Sequence, residues 1–194
     1  MILNLTPLIY YEDNFLTSYE CETIIEMSRD HLERSKVFDK DNPITDARTS
    51  YQHWLSHTDS FVKTFMEKVA SKVGIHPAQS EPPQVIRYDK TQEYKPHHDT
   101  FDLVKNPELI KSGGQRVLTA LMYLNTPTSG GGTIFPKLSR RVDAVQGRLI
   151  IFHTCYPGTN IEHPFALHGG EPVGLGEKWA VNLWFREGEF NQNP

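Results

Sequence analysis

The feature that most constrains the fold of this chain is a change of texture at Pro83. Before it, apolar residues recur at helical spacing. After it, short β-branched and aromatic stretches alternate with Gly, Pro, Asn and Asp. Thr17 and Glu20 form a T-x-x-E signature, which predicts a capped helix start near Thr17. Cys21, Ile24, Ile25, Ser28 and Leu32 then fall on one face. A second helix is expected from about Asp59 to Val73, with Val62, Phe65, Met66, Val69 and Val73 as its apolar stripe. Segments 84–89, 116–124, 147–152 and 178–185 read as strands. Helices followed by short strands with Gly-rich turns imply an α+β fold, a β-sandwich or jelly roll with helices packed on the outside of one sheet. No repeat or long linker divides the 194 residues, so one domain is expected over 1–194, helical to about residue 80 and β-rich over about 81–190.

Charge excludes some classes of function. A net charge of −4 and the lack of a basic face argue against a nucleic-acid or membrane-surface binder. The cations Lys137, Arg140 and Arg141 read as a solvated turn. No apolar run approaches the ~18 residues of a bilayer span, and the N-terminus lacks a signal-peptide pattern. Two cysteines, Cys21 and Cys155, do not describe a disulfide framework. These features suggest a cytoplasmic protein. They also mean that any metal must be held by His and carboxylate.

The pattern that carries chemistry is H-x-D. On a strand, residues i and i+2 project to the same side, so His and Asp at that spacing aim two ligands at one point. A third ligand from a neighbouring strand completes the 2-His-1-carboxylate face used by non-haem iron(II) oxygenases. The motif occurs twice. His57-Thr-Asp59 sits at the expected start of the second helix, where Asp59 is explained as a cap. His97-His-Asp99 follows a strand-like segment, and parity pairs His97 rather than His98 with Asp99. For the distal ligand, spacing leaves His153, His163 and His168 all open.

Several ordered motifs resemble the catalytic domain of prolyl 4-hydroxylases of the collagen, plant, algal and viral type. They are Phe15-Leu-Thr-Ser-Tyr-Glu-Cys-Glu22, Arg48-Thr-Ser50, Tyr88-Asp-Lys-Thr-Gln-Glu-Tyr-Lys-Pro-His-His-Asp99, Arg116 to Leu124, Gly131-Gly-Thr-Ile-Phe-Pro136, His168 to Trp179, and Trp184. The resemblance covers nearly the whole chain. It implies a double-stranded β-helix and selects His168 as the third ligand beside His97 and Asp99. It implies Fe(II), 2-oxoglutarate and O2, with ascorbate as reductant. Lys178 would neutralise the far carboxylate of 2-oxoglutarate, with Thr133 and Tyr88 as hydroxyl donors. Arg48, Arg116 and Trp184 match positions that line a peptide groove.

The activity so implied is hydroxylation of prolyl residues in a peptide or protein, with succinate and CO2 as co-products. The hypoxia-sensing branch fits less well, because it uses Arg where this chain has Lys178. The alternatives are hydroxylation of a free amino acid or other small molecule, and a catalytically silent binding module. The abrupt start at the catalytic domain suggests a minimal microbial or viral form. Two departures from the family pattern stand out. Thr91 replaces the Gly of Y-x-x-G-Q, and Tyr51-Gln-His-Trp54 is bulky where the family has small residues in a mobile substrate loop.

Overall fold

A computed structural model describes residues 1–36 and 44–191. The elements run β1 (Ile2–Leu5), β2 (Leu8–Glu12), α1 (Ser18–Arg29), β3 (Glu33–Arg34), β4 (Tyr51–Trp54), α2 (Ser60–Val73), β5 (Gln84–Tyr88), β6 (Tyr94–His97) and β7 (Arg116–Tyr123). They continue with β8 (Ser129–Gly130), β9 (Thr133–Phe135), β10 (Arg140–Val142), β11 (Leu149–His153), β12 (His168–Gly170), β13 (Val173–Leu175) and β14 (Lys178–Arg186). Eight strands form an antiparallel major sheet in the order β1-β2-β11-β7-β14-β5-β4-β3. Four form the minor sheet, β10-β9-β12-β6, and β13 pairs with β8. This is the expected α+β jelly roll.

Both helices start where their caps require. Thr17 accepts from the Glu20 backbone N–H while the Glu20 carboxylate accepts from that of Thr17, closing the capping box of α1. Asp59 caps α2 through the N–H groups of Phe61 and Val62. Helix α1 ends at Arg29, so Leu32 lies beyond it and packs against the core from the following segment.

The N-terminal part is less helical than expected. It contributes four strands, and β1 and β2 extend one edge of the major sheet beside β11. These strands escape a periodicity reading because they are short and their burial does not alternate cleanly. Tyr51–Trp54, expected in a substrate loop, forms β4 and pairs with β5 in register Gln52↔Ile86.

Strand parity divides the major sheet into two faces. Val85, Leu118, Ala120, Met122, Leu149, Ile151, Trp179, Val181, Leu183 and Phe185 pack against the two helices in one apolar cluster. The opposite face carries Gln84 and Tyr88 on β5, Thr119 and Tyr123 on β7, and Lys178, Asn182, Trp184 and Arg186 on β14. It looks toward the minor sheet, and the site lies there. Cys21 and Cys155 are both buried free thiols.

Candidate metal centre

The minor sheet brings the first two candidate ligands together by register. His168 stands directly opposite His97 in the β12–β6 ladder. Strand β6 is the edge of that sheet, which is why it tolerates Pro96. Gly169 allows the close approach. A Cβ there would meet the Tyr94 carbonyl oxygen at 3.0 Å and the Pro96 nitrogen at 3.1 Å. Asp99 lies just past the end of β6, in a bend rather than on the strand as parity assumed, yet its carboxylate still turns toward both imidazoles. His97 Nε2 is 3.6 Å from Asp99 Oδ1, and His168 Nε2 is 3.6 Å from Asp99 Oδ2. Among the described residues these three form the cluster able to hold a metal ion, with one ligand atom from each lying within 4.8 Å of the others.

The surroundings prepare these groups as ligands. His97 Nδ1 donates to the Lys95 carbonyl and His168 Nδ1 to the Ala166 carbonyl, each at 2.9 Å. Both rings are thereby held in the tautomer that leaves Nε2 a lone pair. Burial pushes the His168 imidazole down to about 4, against the pull of the Asp99 charge. Burial alone would raise the Asp99 carboxyl, but His168, His97 and Arg116 beside it outweigh that and hold it well below the usual range. A deprotonated His168 and an ionised Asp99 are the forms in which these groups bind a divalent cation. Thr119 donates to Asp99 Oδ2 at 2.7 Å. Tyr94 stacks on His97 with centroids 3.5 Å apart.

The other histidines do different work. His163 caps a short turn, its Nδ1 accepting from the Phe165 N–H. His153 ends β11 outside the cluster. His57 borders separate cavities, and Asp59 is the α2 cap. His98 sits on the rim with Nε2 3.3 Å from Glu162.

Two spaces meet at the cluster. A small cavity of about 30 Å³ runs between the sheets and is lined by Tyr88, Thr133, His168, Gly170, Lys178 and Asn182. Lys178 and Tyr88 face each other across the β14–β5 ladder. Lys178 is 2 % exposed, and burial lowers its ammonium to about 8, partly offset by the charge of Glu171. Its Nζ lies 5.0 Å from the Tyr88 ring centroid and 5.3 Å from that of Tyr123, and it makes no ion pair among the described residues. Thr133 and Tyr123 share a 2.6 Å hydrogen bond between hydroxyls. Burial raises the Tyr88 phenol, which keeps it a neutral O–H donor. A Cβ on Gly170 would come within 3.7 Å of Lys178 Nζ and 3.8 Å of Tyr88 Oη, so this glycine keeps the cavity open.

The second space is a larger groove of about 340 Å³ that reaches His97 and Asp99. Arg48, Arg116 and Trp184 all line it. Arg48 donates to Gln84 Oε1 at 3.0 Å and covers the Tyr94 ring at 4.9 Å. Arg116 stacks on Trp184 at 3.8 Å and is clamped by Glu81 through bonds of 2.6 and 2.7 Å. Tyr94, Thr119, Glu81 and Asn182 were missed in the sequence. Thr119 and Asn182 share strand parity with Tyr123 and Lys178, which could have found them. Nothing near Glu81 announces its role.

Residues 83–186 match the sequence profile of the 2OG-Fe(II) oxygenase superfamily. A putative prolyl 4-hydroxylase of Acanthamoeba polyphaga mimivirus is 36 % identical over 92 % of this chain and 74 % of its own length. Prolyl 4-hydroxylase 2 of Arabidopsis thaliana is 32 % identical over 96 % and 69 %. The chain belongs to the prolyl 4-hydroxylase family of 2OG-Fe(II) oxygenases. The fold agrees. The viral collagen prolyl hydroxylase of Paramecium Bursaria Chlorella virus-1, solved as a 2OG complex, superposes with a TM-score of 0.71 at 26 % identity, covering 91 % of this chain and 94 % of that one. Iron(II) and 2-oxoglutarate are the cofactors that go with this family. The residues present fit both, with two imidazoles and one carboxylate for the metal and a buried ammonium, in no ion pair among the described residues, for an anion. Among the described residues no helix is long and apolar enough to cross a membrane.

Proposed function

We propose that this prolyl 4-hydroxylase family member hydroxylates prolyl residues of a peptide or protein, with ascorbate keeping its metal reduced. The observation that carries the reading is the position of the His97–Asp99–His168 cluster, between a small cavity that holds Lys178 and a larger groove walled by Trp184, Arg48 and Tyr94. A small dianion suits the cavity that holds the Lys178 ammonium, and a peptide suits the larger groove. The proline-directed names of the related proteins support the same substrate class.

At such a site iron(II) and 2-oxoglutarate supply the reaction of dioxygen with a substrate C–H, giving succinate, carbon dioxide and a C–OH. The side chains bind, orient and exclude water. His97, Asp99 and His168 would hold the metal, their rotamers fixed by the Lys95 and Ala166 carbonyls and by Thr119. Lys178 would pair with the far carboxylate of 2-oxoglutarate as a point charge, with Tyr88 and Thr133 donating hydroxyls. Trp184, Tyr94, Arg48 and Arg116 would form the wall of the groove that receives the peptide. No side chain is needed as general acid or base.

The test is incubation of purified protein with iron(II), 2-oxoglutarate and ascorbate, with and without a proline-rich peptide. Succinate and a gain of one oxygen on proline are expected, and both should vanish in His97→Ala. Succinate without peptide modification would instead place the substrate among free amino acids or other small molecules. No turnover, with wild type and His97→Ala alike, would leave a silent binding module.

A further inference from the structure

Asn182 occupies the wall where the two spaces meet, lining the small cavity with Lys178 and the larger groove with Trp184 and Arg116. Its side chain is more than nine-tenths buried. Yet its Oδ1 has no hydrogen-bond partner among the described residues. Its strand neighbours cannot help. Across one ladder stands Leu121, which has no polar side chain. Across the other stands Gln84, whose Oε1 accepts from Arg48 and whose Nε2 donates to Gln52, with no bond to Asn182 Oδ1. The nearby donors of the metal cluster are also engaged, since both imidazole Nδ1–H groups go to carbonyls and the Thr119 hydroxyl goes to Asp99. A buried acceptor left without a donor destabilises the fold, so its retention points to a ligand that supplies one.

We propose that Asn182 reads the backbone of the substrate, accepting a hydrogen bond from the N–H of the residue that follows the target proline. The proposal rests on the peptidyl-prolyl reading above. 2-Oxoglutarate is fully ionised at neutral pH and carries no donor, so it cannot satisfy Oδ1. The prolyl nitrogen has no hydrogen either. Counted from the ring carbon that is hydroxylated, the nearest backbone N–H belongs to the following residue, one bond closer than that of the preceding residue. Asn182 therefore selects against peptides in which the residue after the target is proline or is N-methylated.

The test compares kcat/KM for two peptides that differ only at that amide, one normal and one with an ester in its place. A ratio within one enzyme preparation does not depend on the folded or metal-loaded fraction. Wild type should prefer the amide by about tenfold, the worth of one neutral hydrogen bond. In Asn182→Leu, and in the smaller Asn182→Ala, the ratio should fall to about one. Asn182→Leu should also keep or raise the unfolding temperature, because an unpartnered carboxamide gives way to an apolar group of similar shape. An unchanged ratio in both variants, or a wild type indifferent to the ester, would overturn the proposal. A wild type that hydroxylates neither peptide would instead overturn the reading of prolyl hydroxylation, and this inference with it.

Discussion

The two ends of the pocket face of β14 both bury cations and treat them in opposite ways. At one end Arg186 and Arg116 converge on Glu81, with ion-pair distances of 2.7 and 2.6 Å to the same carboxylate oxygen. At the other end Lys178 pairs with no carboxylate among the described residues. The acid that influences it most, Glu171, is held by Arg141 Nε at 2.6 Å. Both ends are almost fully buried, so solvent screens neither. The paired end reads as scaffold that fixes the groove wall under Trp184. The unpaired end reads as a charge kept for an incoming anion, and burial has already brought it close to losing its proton.

The largest effect should come from breaking the paired end. Glu81→Ala would leave two buried guanidinium groups uncompensated and should cost about 3–5 kcal/mol of stability, measured by denaturant unfolding. Next comes the unpaired end. Lys178→Met should weaken 2-oxoglutarate binding by roughly a hundredfold or more in anaerobic calorimetry, a loss of about 3 kcal/mol. It should also raise the unfolding temperature of the ligand-free protein, because a desolvated charge is removed. Opposite signs for stability at the two ends would uphold the comparison, and a destabilised Lys178→Met would break it.

A pH titration sharpens the same contrast. The pairing form of Lys178 is the ammonium, and burial sets its proton loss at about 8 in the free site. The apparent KM for 2-oxoglutarate should therefore be flat below pH 8. Above it the KM should rise by up to about tenfold per pH unit, equivalent to about 1.4 kcal/mol. A KM that stays flat to pH 10 would mean that the carboxylate is held by neutral donors instead. The smallest effect concerns the turn that leads into β6. Thr91 adopts φ +69°, a left-handed conformation that β-branched residues rarely take, and the turn is tied down by Thr91 N–H to the Val173 carbonyl at 2.8 Å. Thr91→Gly should stabilise the fold by about 1 kcal/mol in thermal unfolding, with 2-oxoglutarate affinity unchanged.

That turn shows how far the sequence could be read. The family pattern marks position 91 as Gly, and the left-handed backbone gives the physical reason. The helix caps at Thr17 and Asp59 and the central strands β5, β7, β11 and β14 were legible because local chemistry specifies them. The strands β1 to β4 were not, since two to five residues carry too little periodicity to stand out. His97 and Asp99 could be paired from their spacing. His168 could not be chosen over His153 and His163 without the resemblance, because cross-strand register is a property of the folded sheet. Glu81 was invisible for the same reason. It lies 35 residues from Arg116, and only the fold brings them together.

The central claim is that His97, Asp99 and His168 hold a metal on which 2-oxoglutarate binding depends. Anaerobic calorimetry of the metal-free chain tests it most directly, with iron(II) titrated first and 2-oxoglutarate second. The account predicts one iron per chain, 2-oxoglutarate binding only after iron, and loss of both in Asp99→Ala. Equal 2-oxoglutarate affinity with and without iron, or stoichiometric iron in Asp99→Ala, would contradict it.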